Sequence, residues 1–195
     1  MPPTRRTRQQ PLSHGRIVAT ALGLLTRVGL PDLTMRAIGT ELGVQQSALY
    51  HHFANKQAML GAVADAILAR RPTRDTTDLE LPWQEVVRQC CRDLHAAVTA
   101  YPDGADIVMS MWAFGMGGRA PFDELREILG ATGLDARGAK TAARTLLHFV
   151  YGHAYDEQSH AQAARSGIAS DARPESDFDT GLDIILTGVE SLVVR

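Results

Sequence analysis

The stretch QQSALYHH, residues 45–52, is poor in core formers and rich in hydrogen-bonding groups. Gln45, Gln46, Ser47, His51 and His52 can all bond base edges or phosphates, and Ala48 is small enough to meet a thymine methyl. Glutamine paired bidentately with adenine is among the contacts that groove geometry favours. Tyr50 carries a hydroxyl on an apolar ring, suited to a phosphate or to packing. Arg36 can reach a groove edge or a phosphate, and the Thr34 hydroxyl with the free amides from Met35 onward suits an anionic oxygen. The same side chains would also make the solvated face of a small structural helix, so the elements that carry them matter.

Those elements read as short helices. Residues 13–29 place Ile17, Ala21, Leu24, Leu25 and Val28 at spacings of three and four, and Gly29 with Pro31 stops the run. Thr34 stands as the N-cap of a second helix, MRAIGTEL, with Ile38 and Leu42 inward and Gly43 at its end. A third short helix follows, with Leu49 and Phe53 buried, and Asn55 caps a fourth that Pro72 closes. Two short helices joined by a glycine turn, Leu42-Gly43-Val44, form the helix-turn-helix unit, whose second helix lies in a major groove.

Charge divides the chain. Residues 1–71 carry nine Lys and Arg against three Asp and Glu, a net of +6, and residues 72–195 carry eleven against nineteen, a net of −8. A basic N-terminal third is the part suited to a polyanion, since phosphate neutralisation supplies most non-specific affinity for nucleic acid. Arg5, Arg6 and Arg8 could enter a minor groove or merely add charge. No apolar run is long enough to span a bilayer and none follows the basic start in signal-peptide fashion, so the expectation is a cytoplasmic protein without membrane association. Cys90 and Cys91 are adjacent within a helical pattern, which suits buried thiols rather than a bridge.

Residues 72–82 read as a linker and 160–176 as a loop, and the rest of the acidic part stays helical, over 83–101, 104–116, 121–131, 136–158 and 178–194. The fold expected is all-α, an N-terminal helix-turn-helix domain of three helices over 1–71 and a helical ligand-binding and dimerisation domain over 72–195. His95, Met109, Trp112, Phe114, Met116, His148 and Tyr151 could line a pocket, Met and aromatic rings being adaptable linings, with Tyr101 and Tyr155 as further polar handles. Ordinary core would use the same residue types. LLHFVYGHAY and LDIILTGVESLVV, residues 146–155 and 182–194, are apolar over more than one face, as when a second chain packs on the first.

Catalysis finds little support. Ser110, Ser159 and Ser170 sit in no nucleophile elbow, and GMGGRAP, residues 115–121, follows a helix rather than a strand and reads as a helix break. His148 and His153, five apart, fall on different helix faces and do not make a metal pair. Neither an enzyme nor a cofactor or metal is expected. The rival reading is a helical enzyme or small-molecule carrier whose basic subdomain is incidental.

LTMRAIGTELGVQQSALYHHFANKQAMLGAV closely resembles the DNA-binding domain of the tetracycline-repressor (TetR) family. The likeness lies in the Leu-Thr helix start, the Leu-Gly-Val turn, Leu-Tyr-x-His near the end of the recognition helix, and Asn-Lys opening helix four, and it covers residues 13–71. The resemblance implies a homodimeric transcriptional repressor that holds a palindromic double-stranded DNA operator and releases it when a small-molecule effector enters the C-terminal domain. It further implies base reading by Arg36 and Gln46, a phosphate anchor at Tyr50, a backbone or groove contact at His52 and a phosphate contact at Lys56. Ser47, Ala48 and His51 fall at positions that the family varies.

Overall fold

The computed structural model describes residues 11–72, 81–169 and 176–193, and among them it holds nine α-helices and no strand. The arginine arm at residues 5–8 and most of the expected linker lie outside the described residues.

α1 (His14–Asp32) starts where the Ser13 hydroxyl accepts from the Arg16 amide. Its buried stripe is Ile17, Val18, Ala21, Leu24 and Leu25. Val28 does not join it. That side chain is 42% exposed and faces a cleft beside α8, because the backbone turns away at Gly29, φ 74°. α2 (Met35–Leu42), α3 (Gln46–Tyr50) and α4 (Lys56–Leu68) complete a small N-terminal core in which Leu33, Ile38, Leu49, Met59 and Val63 have no exposed surface.

Five helices follow: α5 (Trp83–Thr99), α6 (Gly104–Ala113), α7 (Ala120–Gly130), α8 (Ala136–Arg165) and α9 (Phe178–Glu190). α6 ends earlier than its apolar pattern predicts, since Gly115, Gly117 and Gly118 all take positive φ and turn the chain toward α7. α8 ends later, its last turns being HAQAAR, rich in good helix formers. Hence part of the expected 160–176 loop is helix.

One continuous apolar core runs from Ile17 to Val189 and joins the two parts of the chain. Two contacts across that junction are close. α4 passes so near the loop after α6 that a Cβ on Gly61 would stand 2.0 Å from the Met116 carbonyl oxygen, and Asp65 Oδ1 accepts from the Gly118 amide at 2.8 Å. At the other contact the Asp103 carboxylate accepts from the Leu30 amide at 2.7 Å. Polar pairs then tie α5 to α9: Arg92 with Asp179, Arg88 with Asp183, and Gln84 with Glu190. The Arg92 guanidinium holds the Asp179 carboxyl below the usual carboxylate range.

Candidate functional site

The N-terminal helices are set by local chemistry. Thr34 Oγ1 accepts from the Ala37 amide at 3.0 Å and opens α2. Gly43 closes it in the left-handed region, φ 69° and ψ 28°, its amide bonded to the Thr40 carbonyl and that of Val44 to Gly39. Gly39 is needed where the helices cross, because a Cβ there would already lie 3.0 Å from the Val44 carbonyl oxygen. Leu49, fully buried, and Phe53, 6% exposed, then fix α3 against this base.

With Leu49 inward, the opposite face of α3 is left to solvent. Gln45, Gln46, Ser47, Tyr50 and His51 are exposed, and Ala48 is half-buried. Gln46 Nε2 donates to the Tyr50 hydroxyl at 3.2 Å, so one turn of the helix carries a pre-aligned polar pair. His52 is more committed. Its ring meets that of His14 edge-on at 5.2 Å, and His14 in turn meets Phe53 at 4.8 Å, which pins the end of α3 to the start of α1.

Arg36 is exposed on the first turn of α2, and half-buried Lys56 opens α4 after the Asn55 cap. Thr34 is exposed, with its oxygen engaged in capping but its proton still able to be donated. Met35 differs from these neighbours in facing inward. Its side chain is 4% exposed and shares the inward face of α2 with Ile38 and Leu42, which leaves only its backbone amide for an anion.

The seven residues expected to line a pocket separate into groups. Trp112 packs near Tyr151 and His148, with ring centroids 6.2 and 5.8 Å apart, and near Phe122. Met109 is half-buried against the core. Phe114 and Met116 are 65% and 37% exposed, because α6 stops at Ala113 and both lie in the turn that follows it. His95 lies elsewhere, against Phe178 and His153. Tyr101 faces Arg70, whose guanidinium donates to its hydroxyl, and Tyr155 is 47% exposed.

Sequence reasoning missed a polar group in the interior. Arg71 Nη1 and Glu124 Oε2 pair at 2.7 Å with side chains only 13% and 22% exposed, and Cys90 Sγ lies 3.4 Å from the other Glu124 oxygen. The Tyr151 hydroxyl is buried without a hydrogen-bond partner among the described residues, and burial raises both that phenol and the Cys91 thiol well above their ordinary values. No local pattern could reveal this cluster, since Arg71, Glu124 and Tyr151 come from three separate segments. Burial also lowers the His95 imidazole, against the opposing pull of Glu157.

Residues 17–63 match the family described as "Bacterial regulatory proteins, tetR family", and residues 77–177 match "Tetracyclin repressor-like, C-terminal domain". The chain belongs to the tetR family of bacterial regulatory proteins. It is 32% identical to the class A tetracycline repressor protein from transposon 1721 of Escherichia coli, with 94% of each chain covered. Mycobacterium smegmatis BioQ has the same fold, TM-score 0.85 at 37% identity over 93% of this chain and 99% of that one. BioQ bound to its double-stranded DNA operator gives 0.78 at 34% identity, with the same coverage. Streptomyces coelicolor ActR in complex with actinorhodin gives 0.80 at 26% identity, covering 95% of this chain and all of that one. As a tetR-family member the chain is a bacterial regulatory protein, and α2 and α3 form the helix-turn-helix of its N-terminal family domain. No described helix is long and apolar enough to cross a membrane.

Proposed function

We propose that two copies of the chain bind a palindromic operator, each laying α3 into a major groove, and that a small molecule held by the helical domain releases them. The observation that carries this reading is the face of α3. Five polar side chains stand outward on a helix whose other side is locked by Leu49 and Phe53. Gln46 and Arg36 read base edges, with Gln45, Ser47, Ala48 and His51 beside them, while Tyr50, His52, Lys56 and the start of α2 at Thr34 and Met35 grip the backbone. Two-fold symmetry places paired reading helices about 34 Å apart, one turn of duplex.

A dimer is supported by the outer side of the last helices. α9 buries Leu182, Leu186 and Val189, yet leaves Ile184 70% exposed, with Leu192 just beyond its end 64% exposed and Tyr155 of α8 also outside. The effector region is supported by Trp112, His148 and the Tyr151 hydroxyl, whose missing partner a bound molecule or water would supply. The work divides near residues 71 and 72, and binding rather than catalysis accounts for the groups assembled. The compartment this implies is the cytoplasm, where the duplex is found.

Selection of bound sequences from random duplex DNA by the purified protein tests the reading, with a palindrome expected and a flat distribution counting against it. Gln46→Ala should then cost about 1–3 kcal/mol of discrimination at one operator position. By contrast, Lys56→Ala should weaken all duplexes alike and reduce the salt slope by about one. Identical effects of the two changes on every sequence, in a competition assay at several salt concentrations, would overturn the division of roles.

A further inference from the structure

Three side chains with metal-ligand chemistry converge where α5 meets α8. His153 and Glu157 lie one helical turn apart and share a face. His95 of α5 meets them, and the ligand-capable atoms of the three all lie within 4.8 Å of one another. Glu157 stands between the imidazoles, Oε2 2.9 Å from His95 Nε2 and Oε1 3.4 Å from His153 Nδ1. Both ring nitrogens are buried, and each faces one of the Glu157 oxygens. His153, five residues from His148, thus finds its partners one turn along its own helix and across on α5.

The spacing is close to that of a coordination sphere. Ligand atoms around a tetrahedral zinc ion, each at about 2.0–2.1 Å, stand about 3.3 Å from one another. The two imidazole nitrogens stand 2.9 and 3.4 Å from the two oxygens of Glu157, and the three ligand atoms lie within 4.8 Å of one another, so a modest closing of the side chains around an ion reaches that value. The rings are also held in place, His95 and His153 lying 4.6 and 5.2 Å from the Phe178 ring, which stacks on Phe149. On its far side His153 Nε2 is 3.2 Å from Asp177 Oδ1. A carboxylate there favours the tautomer protonated on Nε2, which would leave the Nδ1 lone pair for an ion, the orienting arrangement found behind metal-bound histidines.

We propose that His95, His153 and Glu157 form a site for a divalent transition ion of the zinc class, with Asp177 as the orienting residue. Two imidazoles and one carboxylate favour such ions over magnesium or calcium, which take oxygen ligands. The His95 and Glu157 side chains are 21% and 26% exposed and Glu157 lines the cleft between α1 and α8, so an ion would enter from that side and could keep a water as fourth ligand. The position is mechanically central. The next residue, Gln158, donates to the carbonyls of Val98 and Tyr101 and accepts from the Ala105 amide, and so holds the loop from which Asp103 reaches α1.

The test uses the untagged full-length chain, stripped with a chelator and then titrated with zinc chloride by calorimetry and with cobalt chloride by visible spectroscopy. One ion per chain is expected, with the d–d bands of a low-coordinate nitrogen and oxygen site, and a zinc-dependent rise in Tm that equal magnesium does not reproduce. Glu157→Gln and His95→Gln should each weaken zinc binding about tenfold or more, and Asp177→Asn about tenfold. Asp177 is 87% exposed, so its variant keeps the test valid if the His95 change lowers the stability of the metal-free fold. The proposal fails if zinc does not bind saturably, if magnesium acts equally, or if binding survives undiminished in the Glu157→Gln and Asp177→Asn chains. Ion binding is measured without DNA, so its failure leaves operator reading untouched, and the reverse also holds.

Discussion

Gly61→Ala is expected to destabilise the protein by about 1–3 kcal/mol, with each kcal/mol lowering Tm by about 2–4 °C. In the middle of a helix, glycine to alanine ordinarily stabilises by about 0.5–1 kcal/mol, because alanine loses less backbone freedom on folding. Here the sign reverses. The added carbon would lie 2.0 Å from the Met116 carbonyl oxygen, which belongs to backbone and cannot swing aside as a side chain would. Neighbouring contacts tighten the constraint, since Gly117 stands against the Gly61 carbonyl and the Gly118 amide is fixed by Asp65. Gly23→Ala is the matched control, a helical glycine with open space for 4 Å around the position a Cβ would take, and it should gain the ordinary increment. Urea and thermal unfolding of both variants measure the contrast. Equal shifts of the same sign would mean that α4 and the loop after α6 do not pack as described.

The second large effect is expected at Asp103. Its carboxylate accepts from the Leu30 amide at 2.7 Å, across from the end of α1, and its backbone holds φ at 57°. Although it stands at the N-cap position of α6, it makes no side-chain cap there, its oxygen being used on α1 instead. Hydrogen bonds to charged groups contribute about 1.5–3 kcal/mol. A non-glycine residue in the left-handed region costs on the order of 1–2 kcal/mol. Asp103→Ala loses the bond and keeps the strain, whereas Asp103→Gly loses the bond and relieves the strain, and Asp103→Asn keeps a neutral acceptor. Stability should therefore fall in the order Asp, Asn, Gly, Ala, read from urea midpoints. Alanine more stable than glycine at this position would remove the backbone from the explanation.

How far the sequence reaches is clearest at α2 and α3. Thr34, Gly43 and Asn55 act through atoms three or four residues away, so a cap or a left-handed turn can be read directly from the chain. Periodicity placed Leu49 and Phe53 inward and left Gln45, Gln46, Ser47 and His51 to solvent, as the structure has them. Met35 needed the same test of facing and lies with Ile38 and Leu42 in the core. In the helical domain the reading was weaker, because a bundle and a pocket draw on one residue vocabulary. Phe114 and Met116 continue the apolar pattern of α6 only on paper, since the helix ends at Ala113 and the chain turns through Gly115, Gly117 and Gly118.

Helix boundaries, the turn between α2 and α3, the basic first third and the outward polar face of α3 were all present in the order of the residues, because each depends on atoms close along the chain. The meeting of His95 with His153 and Glu157, the pairing of Arg71 with Glu124, and the seat of Met116 over Gly61 were not. They arise where one helix crosses another. The crossing is settled by how the whole core fills its volume, and no spacing within a single helix encodes it.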